Sequence, residues 1–290
     1  MPFHPRNKHQ GVYDWEQLCE AVPALQDFLI TKKDGKVSLN YSHPEAVYLL
    51  NKALLAVHYN IKNWLLPEEG LCPPIPSRAD YLHHLADLLG SGADALPQGK
   101  KVKILDVGVG ASCIYPILGS IDFGWSFVGS DISRDSIQWA HNFLLEQPRL
   151  RSLVTLRLQE DSYHIFEGVI KKKDYFDAVI CNPPFFKSAE KALAQQKRKW
   201  RNLGLAQTAS NFGGKAHELY CKGGEVGFIK RMIAESEEFK NQIGWFTTLV
   251  SQEKHLKFLY KSLDSIQPSK IETIVLVHGN KKSRILCWSF

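Results

Sequence analysis

From Lys101 onward the chain alternates short apolar runs with segments whose apolar positions recur at helical spacing. Val102-Lys103-Ile104-Leu105-Asp106-Val107, Phe127 to Asp131, Val154 to Leu158, Asp177 to Cys181 and Ile243 to Val250 read as strands. Between them, Cys113 to Gly119 starts a helix with Pro116 in its first turn. Ser133 caps another that carries Ile137, Ala140, Phe143 and Leu144. Gly224 to Ala234 and Lys254 to Leu263 continue the helical series, and Lys270–Val277 with Arg284–Phe290 closes the chain as a hairpin around Gly279-Asn280. This alternation predicts an α/β fold, a parallel sheet with helices on both faces.

Residues 1–95 lack any βα repeat and are expected to form a separate N-terminal module ahead of an α/β domain over 96–290. Trp15 to Ile30 reads as one amphipathic helix with Leu18, Val22, Leu25 and Leu29 as its stripe. A turn with three lysines, Lys32-Lys33-Asp34-Gly35-Lys36, follows. Pro44 opens a helix through Val57, and a proline-rich connection, Cys72 to Pro76, leads to another over Ser77–Leu89. Ser91 to Gly99 reads as a linker.

Composition narrows this picture modestly. A chain of 290 residues with 44% hydrophobic and 23% charged positions is ordinary for a globular protein. The six cysteines are scattered without a C-x-x-C pair, which argues for reduced thiols rather than disulfides or a zinc site. No apolar run reaches membrane-spanning length, and Met1 to Arg6 resembles no signal peptide, so a soluble cytoplasmic protein without a membrane partner is expected. The net charge of +6 permits a polyanionic partner.

Candidate chemistry begins where the fourth strand ends, in Asn182-Pro183-Pro184-Phe185-Phe186. Asn182 carries an amide acceptor, and Pro183 and Pro184 remove backbone donors while leaving carbonyl acceptors. Phe185 and Phe186 add flat apolar faces at a strand's carboxyl end, where ligands bind in open α/β sheets. Acceptors beside an aromatic platform suit a planar base with an exocyclic amine; the bland alternative is a turn with core phenylalanines. Upstream, Asp106-x-Gly108-x-Gly110 follows the first strand, and Asp131 ends the second, where an acid can hold ribose hydroxyls. A nicotinamide site would place glycine where Cys113 stands, and Asp106 would crowd a pyrophosphate. S-adenosylmethionine, with no phosphate and a cationic amino-acid end, fits better; its product would be S-adenosylhomocysteine, and no metal is expected.

Beyond the motif the sequence turns basic. Lys187, Lys191, Lys197, Arg198, Lys199 and Arg201 face the single acid Glu190, with Trp200 among them, inside an insertion over 187–222. A solvated helical face can look like this, but its place beside the proposed base pocket favours phosphate contact. Arg6 and Lys8 in the N-terminal arm offer a second basic contact, although a short basic terminus is more often a solvated tail.

At this point the sequence resembles the bacterial 23S rRNA adenine-N6-methyltransferases of the RlmF type, and more distantly their eukaryotic relatives acting on small nuclear and messenger RNA. The likeness covers the whole chain and includes His4-Pro5-Arg6-Asn7, Arg78-Ala79-Asp80-Tyr81, Gly108-Val109-Gly110-Ala111, Arg201-Asn202-Leu203-Gly204-Leu205, Asn211-Phe212-Gly213-Gly214 and Gly223-Gly224-Glu225. It implies a class I S-adenosylmethionine-dependent methyltransferase, Rossmann-like with a seven-stranded mixed sheet and an antiparallel last strand, behind a small N-terminal helical RNA-binding module. It also implies that Arg78 reaches the methionine carboxylate, that Gly108 and Ser112 line the cofactor, that Asp131 holds its ribose and that Asp161 lies near its adenine; Asp106, Gly110 and Asn182 complete the expected cofactor contacts. Family members carry glutamate where this chain has Asp131.

The implied substrate is an adenine of large-subunit rRNA, free or in an assembling subunit, with no obligatory protein partner. Asn182 Oδ1 and the Pro183 carbonyl would accept the two N6 hydrogens, with Phe185 or Phe186 stacked on the base. Three other readings stay open: an adenine-N6 methyltransferase acting on another structured RNA, a protein-glutamine methyltransferase, which faces the same geometric problem, and an RNA-binding module without catalysis.

Overall fold

Proline and capping residues divide the N-terminal segment differently from its apolar stripe. The computed structural model of the chain describes residues 3–68, 70–90, 96–184, 221, 223–279 and 281–290. The expected single helix over Trp15–Ile30 is instead three pieces: α1 (Trp15–Ala21), a 3-10 turn (Pro23–Phe28) and strand β1 (Leu29–Thr31). Pro23 has no N–H to continue the helical ladder, and Val22 before it is extended at φ −139°. Leu18, Val22 and Leu25 are still buried, so the stripe was real while its continuity was not. β1 pairs antiparallel with β2 (Val37–Leu39) across the lysine turn. Helices α2 (Pro44–Tyr59) and α3 (Ile75–Leu89) follow, each with proline in its first turn.

The second part is a seven-stranded sheet built from β3 (Lys103–Val107), β4 (Ser126–Asp131), β5 (Val154–Leu158), β6 (Phe176–Cys181), β7 (Ile243–Val250), β8 (Lys270–His278) and β9 (Lys281–Ser289). Its order is β5-β4-β3-β6-β7-β9-β8. The pairs from β5 to β7 are parallel, and β9 runs antiparallel to both β7 and β8. Between the strands lie α4 (Ile114–Asp122), α5 (Arg134–Leu145), the short α6 (Pro148–Arg151), α7 (Gly224–Ser236) and α8 (Glu253–Ile266). The seven-stranded mixed sheet and closing hairpin are as expected; α6 and the β1–β2 pair were not anticipated.

Side-chain alternation explains the two layers. Ile104 of β3 and Ala178 and Ile180 of β6 face the cluster formed with α2 to α5. Leu105, Val179 and Cys181 face the one formed with α7 and α8. After β5 the chain returns to the far side of β3 as β6, so the order reverses between β3 and β6. Such a switch point opens a crevice at the strands' carboxyl ends.

The N-terminal helices share the first cluster with the sheet. The expected boundary near residue 95 is therefore a change of architecture rather than a break in packing. Tyr81 of α3 hydrogen-bonds Thr247 of β7 at 2.9 Å, and Trp64, 1% exposed, donates its indole N–H to the Ser112 carbonyl at 3.1 Å. Trp64→Ala is expected to cost about 3–5 kcal/mol of stability. Urea denaturation followed by far-ultraviolet circular dichroism measures it, and a loss below about 1 kcal/mol would contradict this packing.

The N-terminal arm is a strap rather than a loose tail. His4 N–H donates to Asp80 Oδ1 at 2.6 Å, and Asn7 donates its amide to the Pro76 carbonyl at 2.9 Å. His9 Nε2 meets the Tyr59 hydroxyl at 2.9 Å. Arg6 is paired with Asp87 and Lys8 with Asp122, so the structure gives both cations a partner within the chain. Burial first, then His58, Lys8 and His83, brings His9 down to about 3. Burial first, then His4 and Arg6, with Asp80 opposing, brings His83 to about 4. Both rings stay neutral in the fold but take a proton near about pH 6.5 when unfolded. Their contribution is therefore complete above that value and lost as the pH falls toward the folded values. Between about pH 7 and about pH 5 each is expected to remove about 2 kcal/mol. Urea midpoints at the two pH values test this, and equal midpoints would contradict it.

Candidate active site

β3 runs into a left-handed turn at Gly108 (φ +76°) and Gly110 (φ +62°). A Cβ at Gly108 would meet nothing within 4 Å, and the open space is the crevice itself. The turn is pinned from β4: Gly108 N–H and Val109 N–H both donate to the Ser130 carbonyl at 2.9 Å. Gly110 N–H donates to Asp131 Oδ2 and Ser133 N–H to Asp131 Oδ1, each at 2.9 Å. The Asp131 carboxylate thus joins the glycine turn to the start of α5. Cys113, where a dinucleotide fingerprint would have its third glycine, is also left-handed at φ +50°.

These elements surround a cavity of about 580 Å³, within the range that takes a nucleotide-sized ligand. Arg78, Gly108, Gly110, Ser112 and Asp131 line it together with Asn182, Pro183 and Pro184. The sequence's two motifs therefore meet in one crevice. Phe185, Phe186, Lys187, Lys197, Arg198, Lys199 and Arg201, with most of the insertion, lie outside the described residues.

Two expected cofactor residues do not reach the cavity wall. Asp106 sits behind the glycine turn, 1% exposed, with neither carboxylate oxygen hydrogen-bonded among the described residues. Its side chain alternates onto the α3 side of β3. Burial, then the charge of Asp131, pushes its carboxyl well above the usual range, and Arg78 opposes the shift. Asp161 points outward instead: its Oδ1 accepts from Tyr163 N–H at 2.9 Å and its Oδ2 lies 3.9 Å from His164 Nε2. That local turn draws Asp161 away and leaves Gln159, Ser162 and Tyr163 on the wall.

Two wall residues stand out electrostatically. Arg78 is 9% exposed and lies with its guanidinium 5.6 Å from the Tyr115 ring centre, a buried cation on the cavity wall. On the same wall, Asn182 Oδ1 is buried and accepts no hydrogen bond among the described residues. Leaving an acceptor in that state costs free energy unless a ligand donor arrives. A cation for a carboxylate, a carboxylate beside a backbone turn, and an orphaned acceptor together suit an amino-acid nucleoside facing an amine.

Sequence reading missed several wall residues. Ile132 and Ser162 follow the motif acids by one position each, a spacing that could have found them. Phe228 and Arg231 come from α7, whose first turn contains Glu225. Glu225 is 2% exposed; its Oε1 accepts from Ser251 N–H at 2.8 Å and its Oε2 lies 2.5 Å from His255 Nδ1. That contact between α7 and the end of β7 sets where Phe228 and Arg231 stand, and residue type alone carries no sign of it.

A family model described as RNA methyltransferase matches residues 1–290. The ribosomal RNA large subunit methyltransferase F of Salmonella arizonae is 47% identical over 289 residues, covering 99% of this chain and 93% of that protein. Its namesake from Salmonella typhimurium shows the same identity and coverage. The human METTL16 catalytic domain, solved in complex with a MAT2A 3′UTR hairpin, superposes with a TM-score of 0.83 at 27% identity, covering 100% of this chain and 96% of that one. The N-terminal domain of human METTL16 in complex with SAH gives 0.79 at 26% identity, covering 99% and 98%. The fold is accordingly the class I methyltransferase fold, and an enzyme is borne out over a module without catalysis. Matched by the family model over residues 1–290 and by these relatives over 99% of its length, the chain belongs to the RNA methyltransferase family that includes the bacterial large-subunit rRNA methyltransferases F.

Proposed function

We propose that this protein methylates N6 of one adenine, number 1618, in large-subunit rRNA. The carrying observation is Asn182 Oδ1, buried and without a hydrogen-bond partner among the described residues, on the wall of the same cavity as Arg78. Bound S-adenosylmethionine supplies an electrophilic methyl group. Arg78 holds the methionine carboxylate, Asp131 accepts from the ribose hydroxyls, and the open face of Gly108 lets the backbone approach.

Adenine N6 is a weak nucleophile because its lone pair is delocalised into the ring. Asn182 Oδ1 and the Pro183 carbonyl accept its two hydrogens, which favours a pyramidal nitrogen with its lone pair turned to the methyl. The same acceptors stabilise positive charge developing on that nitrogen. Transfer would form the N–C bond as the S–C bond breaks, leaving the neutral thioether S-adenosylhomocysteine, and the proton would pass from nitrogen to solvent afterwards, so no strong base is required and most of the acceleration comes from positioning. Phe185 or Phe186 would stack on the base. The cations from Lys187 to Arg201 meet the surrounding phosphates, and residues 1–95 act as an RNA-binding module.

The relatives' names support large-subunit RNA over a protein glutamine, which the acceptor geometry alone would also accommodate. Incubation with methyl-labelled cofactor separates the two. Label is expected in unmodified large-subunit rRNA and absent from glutamine-containing peptides; the reverse would overturn the proposal.

A further inference from the structure

The cavity lies at the carboxyl ends of the strands, and the opposite edge of the same sheet carries its own charge. Lys100, Lys101 and Lys103 lead into β3, and Lys171, Lys172 and Lys173 form the turn before β6; all six are exposed. β3 and β6 are hydrogen-bonded neighbours, with Ile104 opposite Ala178, so the two triplets form one patch. Lys103 N–H donates to Asp177 Oδ2 at 2.7 Å, and Gln242 donates its side-chain amide to the Lys171 and Asp174 carbonyls at 2.9 Å. The backbone that presents the lysines is therefore fixed.

The local acids are already engaged. Asp174 is paired with Arg157 at 2.5 Å and caps Lys171 N–H at 2.8 Å, while Asp177 accepts from the backbone of Lys103. Among the described residues none of the six lysines closes an ion pair. Arg149 and Arg151 in α6 extend the positive edge toward β5, and Glu237 and Glu238 bound it before β7. Tyr175, 51% exposed, stands beside Asp174 with its ring available. Like charges gathered in two triplets repel one another, and among the described residues only the attraction of Lys171 to Asp174 offsets that repulsion. A polyanion relieves that repulsion.

We propose that this edge is a second docking surface, which holds the phosphate backbone of an RNA segment remote from the target base. It rests on RNA being the substrate. Strands of this length hold the patch and the cavity about 15–20 Å apart. A separate arm of a folded RNA, rather than the strand entering the cavity, must therefore occupy it. The protein would bind a large folded fragment more tightly than a short strand containing the same adenine.

The triple variant Lys171→Glu/Lys172→Glu/Lys173→Glu, and separately Lys100→Ser/Lys101→Ser, test this by filter binding across a salt series. The probes are a folded large-subunit rRNA fragment, an unrelated folded RNA of equal length and a short target strand. For the folded fragment, the triple variant is expected to lose about tenfold or more in affinity. The slope of log affinity against log salt should flatten by about 2–3. Cofactor affinity and turnover on the short strand are expected to stay as in the unaltered protein. Unchanged affinity and slope for the folded fragment in both variants would overturn the proposal, as would failure of the unaltered protein to bind folded RNA. Equal losses on both folded RNAs with no methylation of rRNA would uphold the surface while refuting the rRNA assignment.

Discussion

Asn182→Ala is expected to lower kcat by about 10²–10³-fold while cofactor affinity changes by less than about twofold. Asn182 follows Cys181 at the carboxyl end of β6, and its Oδ1 is a buried acceptor without a partner among the described residues. Truncation removes an acceptor needed as charge builds on the amine, so the loss falls on the chemical step rather than on binding. Asn182→Asp keeps an oxygen in the same place and should retain more activity than the alanine variant. A merely structural asparagine would give the opposite pattern, with both variants losing stability and the alanine variant turning over normally once folded. Single-turnover kinetics and calorimetric titration with the cofactor separate these outcomes.

Arg78→Ala is expected to weaken cofactor binding by about 10–100-fold, from the loss of about 1.5–3 kcal/mol of charge-assisted hydrogen bonding. Arg78 comes from α3, outside the βα repeat, and reaches the cavity beside Tyr115. It also opposes the upward shift of Asp106, the buried carboxyl behind the glycine turn. Arg78→Lys retains charge but not the planar fork and is expected to fall between the alanine variant and the unaltered protein. Equal affinities for all three, measured with S-adenosylhomocysteine, would remove Arg78 from the cofactor's carboxylate.

How much was readable in the sequence follows from how local each cause is. The strands of the sheet announced themselves because each is a short apolar run bounded by turn residues, and Gly108 and Gly110 because only glycine suits a left-handed turn that a ligand approaches. The Asn-Pro-Pro acceptor was readable for the same reason: its chemistry is carried by residue type. Helix continuity was not, since Leu18 to Leu29 keeps its apolar spacing across the break that Pro23 imposes. Asp106 and Asp161 show a placement that residue type does not carry. Both sit in motifs, but strand alternation turns one behind the turn, and a tight turn involving Tyr163 N–H turns the other outward. Phe228 and Arg231 depend on a contact between Glu225 and residues 251 and 255, a tertiary cause that no local pattern records. The Arg6–Asp87 and Lys8–Asp122 pairs are of the same kind, and they turn a basic terminus into a strap.

The central claim is that an amine nitrogen on a base lies against Asn182 and Pro183 when the methyl is transferred. Digestion of the labelled large-subunit rRNA to nucleosides, with separation of the methylated products by liquid chromatography and mass spectrometry, addresses it directly. The account predicts that the label migrates with N6-methyladenosine and disappears with Asn182→Ala. Label in a ribose-methylated nucleoside, or in a base methylated at ring carbon or ring nitrogen, would contradict it.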